Sequence, residues 1–178
     1  MRKNMLTIML IVLAVVLSGC NVPVVDVDVK PQSCPNPLNV RSKGVLPVAV
    51  LGTDTFDVLD VDVTAVKLLG VEPIMELTSY QDVSTPVEDV SECECTDAGP
   101  DGYLDLVLHF DTQEVVAAME AFADLSEELE IEDGELFPLI LYEGEVSGPE
   151  GPFDDVARWG ADCVVIRKKG KDQPEGPE

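Results

Sequence analysis

Residues 99–122 read GPDGYLDLVLHFDTQEVVAAMEAF, and a change of hydrophobic period inside this stretch decides the fold class. Gly99, Pro100, Asp101 and Gly102 make a tight turn, because proline sets φ, aspartate bonds locally and glycine accepts positive φ. From Leu104 to Phe110 apolar residues alternate with others, the period of a strand. After Asp111 the period lengthens, and Val115, Val116, Met119, Phe122 and Ala123 recur at helical spacing. Asp111 and Glu114 stand before them as a capping box, so a helical segment is predicted over 112–130, lying across one end or face of a β structure.

Working outward, the rest of the chain is β in pattern. Val25, Val27 and Val29 alternate with Asp26, Asp28 and Lys30, which predicts a strand with one face buried. GVLPVAVLG, residues 44–52, is continuously apolar and predicts a strand covered on both faces, with Pro47 placing it at a sheet edge or bulge. Further strands are expected at 64–69, 74–79, 104–110, 136–142 and 163–166. Seven short strands punctuated by turns predict a mainly β fold, an antiparallel β-sandwich over 25–169 with a short helical insertion. No internal repeat is visible, and residues 170–178 have no apolar anchor and are expected to form a disordered tail.

The first twenty residues, MRKNMLTIMLIVLAVVLSGC, have the layout of an export signal: Arg2 and Lys3, an apolar run, then small residues. The run from Met5 to Leu17 is shorter than the ~20 residues a membrane-spanning helix needs. Leu17-Ser18-Gly19-Cys20 resembles the bacterial lipobox, which implies removal of 1–19 as a signal peptide, lipidation of Cys20, and a membrane anchor through a short linker, 20–24. Asn21, where enteric bacteria use aspartate for inner-membrane retention, favours the outer membrane or cell surface within the cell envelope.

Without residues 1–19 the chain keeps nine basic against 35 acidic side chains, a formal charge of −26. Nucleic acid and anionic lipid headgroups are therefore poor partners for this acidic protein, and divalent cations or basic proteins are better ones. The acidic stretch between Glu120 and Gly134 is where a protein partner is expected. No nicotinamide or flavin cofactor is expected. Export places Cys34, Cys93, Cys95 and Cys163 in an oxidising compartment, where two disulfides are the expected state. Cys93 and Cys95, read as sharing one strand face, are too constrained to join each other, so each takes one of Cys34 and Cys163, the choice being open. A four-cysteine zinc site is the competitor, with C-x-C lacking the usual spacing.

The loop at Asp97 has part of a calcium pattern. With Asp97 as position 1, Asp101 falls at 5, Gly102 at the turn position 6, the Tyr103 carbonyl at 7 and Asp105 at 9. Gly99 brings no side-chain ligand at position 3, and Leu108 stands where a bidentate glutamate would be, so only a weak site is expected, with Glu92 or Glu94 supplying a further oxygen. The alternative is a plain Pro-Asp-Gly turn. No catalytic residues are selected: His109 is the single histidine, expected to face outward or towards a second layer, and no nucleophile motif is present. The expected role is non-enzymatic, an extracytoplasmic interaction module, with a purely structural or cation-buffering lipoprotein as the alternative. Glycan binding is a weaker expectation, resting on Trp159, Phe153, Tyr103 and Tyr142 as sugar-stacking rings.

Three stretches together resemble a recurring domain of exported bacterial and archaeal proteins that has no established activity. They are VDVKPQSCPNPLNVRSKGVLPVAVLGTDTFDV from Val27, CECTDAGPDGYLDLVLHFDTQEVVAAM from Cys93 and GADCVVIRKK from Gly160. The resemblance implies an all-β extracellular module, often found beside calcium-dependent or adhesive repeats, and not an enzyme. This chain departs from it at 120–134 and at 149–159, where insertions lengthen two links.

Overall fold

Leu106, Leu108 and Phe110 are fully buried along one face of a strand spanning Asp105–Asp111, as their alternation predicts. The structure, a computed structural model, describes residues 22–87, 93–125, 131–145 and 155–168. Within them the chain is mainly β, with strands β1 (Val27–Val29), β2 (Pro37–Asn39), β3 (Val45–Val50), β4 (Val66–Leu68), β5 (Ser79–Gln81), β6 (Asp105–Asp111), β7 (Leu136–Glu145) and β8 (Asp155–Arg167). They form two four-stranded sheets, ordered β1-β3-β6-β5 and β2-β8-β7-β4. Every pairing is antiparallel except β2 with β8, so the sandwich is mixed at one edge. Val27, Val29 and Val48 from the first sheet meet Leu68, Leu139 and Ile166 from the second in one core.

The predicted helix is present as α1 (Thr112–Asp124). Asp111 caps it by accepting from the Gln113 and Glu114 N–H groups, satisfying two of the donors a helix start leaves open. Val115 and Met119 are fully buried, and the Phe122 ring meets Phe137 of the opposite sheet edge-on at 6.5 Å between centroids, so the apolar stripe closes one end of the sandwich. Of the predicted helical span, residues 126–130 lie outside the described residues, as does most of the second insertion. Among the described residues no helix is long and apolar enough to cross a membrane.

Four expectations about strands need correction. Pro47 lies in an interior strand, because β1 stops opposite Val48 and leaves Pro47 beyond the end of that ladder. The Lys30 N–H still donates to the Pro47 carbonyl at 2.9 Å, and Lys30 then leaves at φ 60°, so no carbonyl is left seeking the proton proline lacks. At 64–69 only Val66–Leu68 is strand, because the Asp62 carboxylate accepts from the Thr64 N–H and winds Val63–Ala65 into a 3-10 turn. A second such turn, Met75–Leu77, replaces most of the strand expected at 74–79. β2 was not expected, which brings the strands to eight, and β8 extends well before Cys163.

Strand β1 holds the two sheets together at one seam. It is an edge strand, and the N–H groups of its Val29 and of Val25 just before it point away from β3, a liability in an open sheet. The Val25 N–H donates to the Trp159 carbonyl of β8 at 2.8 Å, and the Val29 N–H to the Asp162 carboxylate at 2.7 Å. Gly160 makes the approach feasible, since a Cβ there would stand 2.3 Å from the Val25 carbonyl oxygen.

Candidate functional site

The stretch around Cys93 and Cys95 is tied to both sides of the seam. Disulfides join Cys34 to Cys95 and Cys93 to Cys163, resolving the pairing that sequence left open. Cys93 sits in a turn at φ 56° and not in a strand, so the two neighbouring cysteines turn to different partners. With both pairs closed, these four cysteines have no thiolate for zinc.

Of the predicted calcium ligands, Asp105 is removed from the loop. It has no exposed surface, and its two oxygens accept from the N–H groups of Gly52 (3.0 Å), Val83 (2.8 Å) and Ser84 (3.2 Å). Burial raises its pKa, against the effect of those three donors. Asp101 accepts from the Tyr103 N–H at 2.9 Å, and Asp82, unnoticed in the sequence, accepts from the N–H groups of Asp101 (3.0 Å) and Gly102 (2.8 Å). These bonds set the turn by themselves. Among the described residues no group of three or more His, Cys, Asp or Glu side chains is placed to hold a metal ion, and Asp97, Asp101 and Asp105 do not form one. Glu92 lies outside the described residues, while Glu94 lines a different space.

That space is a cavity of about 10 Å³ at the seam, with room for about one water, lined by Asp26, Asp28, Glu94, Thr96, Asp162 and their neighbours. Asp28 points to the outer side of its sheet and is covered by Ser84, whose hydroxyl donates to it. Burial pushes the Asp28 carboxyl up to about 6, with Asp105 adding to the rise and Ser84 opposing it. Asp162 is pushed up to about 6 as well, again chiefly by burial, although the Val29 and Cys163 N–H groups stabilise its charge. The Asn36 amide also donates to it at 2.9 Å. The sequence held a signal for Asp162: it shares parity with buried Val164 and Ile166, so it had to face inward.

Beyond the end of the β3–β6 pair where Val50 meets Leu106 lies an open groove of about 420 Å³, lined by residues 52–57, 60, 103 and 104. Phe56 and Tyr103 bring rings to it, Asp54, Asp57 and Asp60 bring carboxylates, and Tyr103 is 42% exposed. Gly52 lines it, and a Cβ there would stand 2.3 Å from the Leu104 carbonyl oxygen. Behind Phe56 the Arg158 guanidinium lies 5.5 Å from the ring centroid and 3.0 Å from Glu143, which holds the ring against the second sheet.

The remaining predicted residues scatter. His109 is half-buried and its Nδ1 lies 2.9 Å from the Leu77 carbonyl, a bond that ties Met75–Leu77 to β6. Tyr142 and Trp159 are paired across β7 and β8, Tyr103 is in the groove, and Phe153 and Cys20 lie outside the described residues. Comparison with family models, with curated proteins and with solved structures finds no match for this chain.

Proposed function

We propose that the protein is a lipid-anchored module of the cell envelope that acts by binding a protein partner and not by catalysis. One observation carries the anchor: of five cysteines four are paired in disulfides, and the one left is Cys20, in the lipobox-like Leu17-Ser18-Gly19-Cys20. The paired cysteines support an extracytoplasmic address. The groove at Phe56 and Tyr103 supports the binding role, because two rings beside three carboxylates suit a lysine or arginine side chain. Acidic composition favours the same class of partner.

Two linked measurements test this reading. Cells given labelled palmitate should incorporate it into the wild-type chain and not into Cys20→Ala, which should leave the membrane fraction. A photocrosslinking amino acid placed at Tyr103 should give a discrete adduct with an envelope protein, and one placed at exposed Leu77 should not. Adducts common to both positions would remove the groove from the proposal.

A further inference from the structure

Part of the outer side of the second sheet is uncharged, in an otherwise acidic molecule. Pairing in register places Leu136 beside Val165, Pro138 beside Cys163, Ile140 beside Ala161 and Tyr142 beside Trp159, four successive rows without a charged side chain. Paired residues share a face. The last row continues through Val24, bridged to Trp159 and 57% exposed, and ends at Lys67, paired with Tyr142. Cys163 and Val165 are buried at the far end, whereas Ile140, Ala161, Tyr142 and Trp159 keep part of their surface open and Leu136 is 45% exposed.

We infer that this face, centred on Trp159 and Tyr142, lies against the lipid bilayer; the inference rests on lipidation of Cys20. Tether length selects the occupant. Pro23 is fixed to the fold, its carbonyl accepting from the Trp159 N–H at 3.0 Å, so only three residue steps separate the fold from Cys20. Fully extended they span about 11 Å, against a polar bilayer layer of about 5 to 8 Å on each side. A domain held that closely cannot turn this corner away from the membrane. Charge selects the face: the acidic remainder is repelled by anionic headgroups, while these rows carry nothing to repel. Tryptophan and tyrosine side by side are the ring pair that settles at a membrane interface, with an apolar body and a polar tip. Lys67, held by Glu145 at 2.7 Å, is at the rim.

Trp159 is the only tryptophan in the chain, so its fluorescence reports this face alone. Membrane-extracted full-length protein, its Cys20 lipid checked by mass, is reconstituted into vesicles of phosphatidylethanolamine and phosphatidylglycerol, with and without brominated acyl chains. The expected result is a blue shift relative to detergent solution and loss of more than half of the emission to brominated lipid, with little quenching by aqueous iodide. Lipid on Cys20 together with full iodide quenching and none by brominated lipid would overturn the inference and leave the lipoprotein reading intact. Emission shielded from both quenchers, from a chain that runs as a dimer, would assign the face to a second copy and overturn it too. Absence of lipid on Cys20 would overturn both.

Discussion

Acidification from pH 7.5 to 5 should stabilise this protein, the reverse of the behaviour of most paired carboxylates. Asp28 and Asp162 are each raised from 3.8 to about 6 in the folded state. A raised acid binds protons more readily folded than unfolded, so the gain is complete below the unfolded pKa and is lost as pH rises through the folded one. For one such carboxyl the gain is about 1.4 kcal/mol at pH 5 and about 3 kcal/mol near pH 3. These are upper figures, since water reaching the cavity screens the charges and the two acids repel each other. One to two protons taken up by pH 5 correspond to a melting temperature higher by about 3 to 11 °C. Relief of general repulsion acts in the same direction, and Asp28→Asn separates the two. The Ser84 hydroxyl can still donate to an amide oxygen, so this variant should melt higher than wild type at pH 7.5 and show a shallower rise on acidification. Asp162→Asn is a poor substitute, because both its oxygens receive donors. Thermal melts at constant ionic strength decide the matter. A melting temperature that falls between pH 7.5 and 5, or an equal rise in Asp28→Asn, would refute the reasoning.

Non-reducing peptide mapping should recover Cys34 with Cys95 and Cys93 with Cys163, and reduction should lower stability by about 4 kcal/mol for each loop of this size. Gly160→Ala should cost about 1 to 3 kcal/mol and expose the amide of Val25 to hydrogen exchange, because the new methyl meets the Val25 carbonyl across the seam. Melting curves should shift no more with calcium than with magnesium, since Asp105 is committed to three N–H groups. A calcium-specific shift abolished by Asp101→Ala would restore the loop as a cation site.

The sequence made the architecture legible wherever side-chain period was set by one buried face. Leu106, Leu108 and Phe110 marked β6, and Val115 and Met119 marked the helix that follows it. Short elements whose limits depend on local capping were not legible: Asp62 and the Ile74 turn shorten two expected strands by hydrogen bonds that no periodicity carries. Burial of Asp28 was hidden as well, because its alternation with Val27 and Val29 correctly put it outside the sheet. Only the fold brings Ser84 over it. The place of Asp105 was hidden for a related reason, as spacing along the chain says nothing of its turning inward to donors at Gly52 and Val83. Trp159 and Tyr142 could be named singly, but their adjacency needs the register of β7 on β8.

The central claim, an exported chain anchored through Cys20, is tested most directly by the mass of the amino-terminal peptide of the protein extracted from membranes. The account predicts a peptide that begins at Cys20 and carries a diacylglyceryl group on sulfur. A peptide beginning at Met1, or an unmodified Cys20 in that fraction, would contradict it.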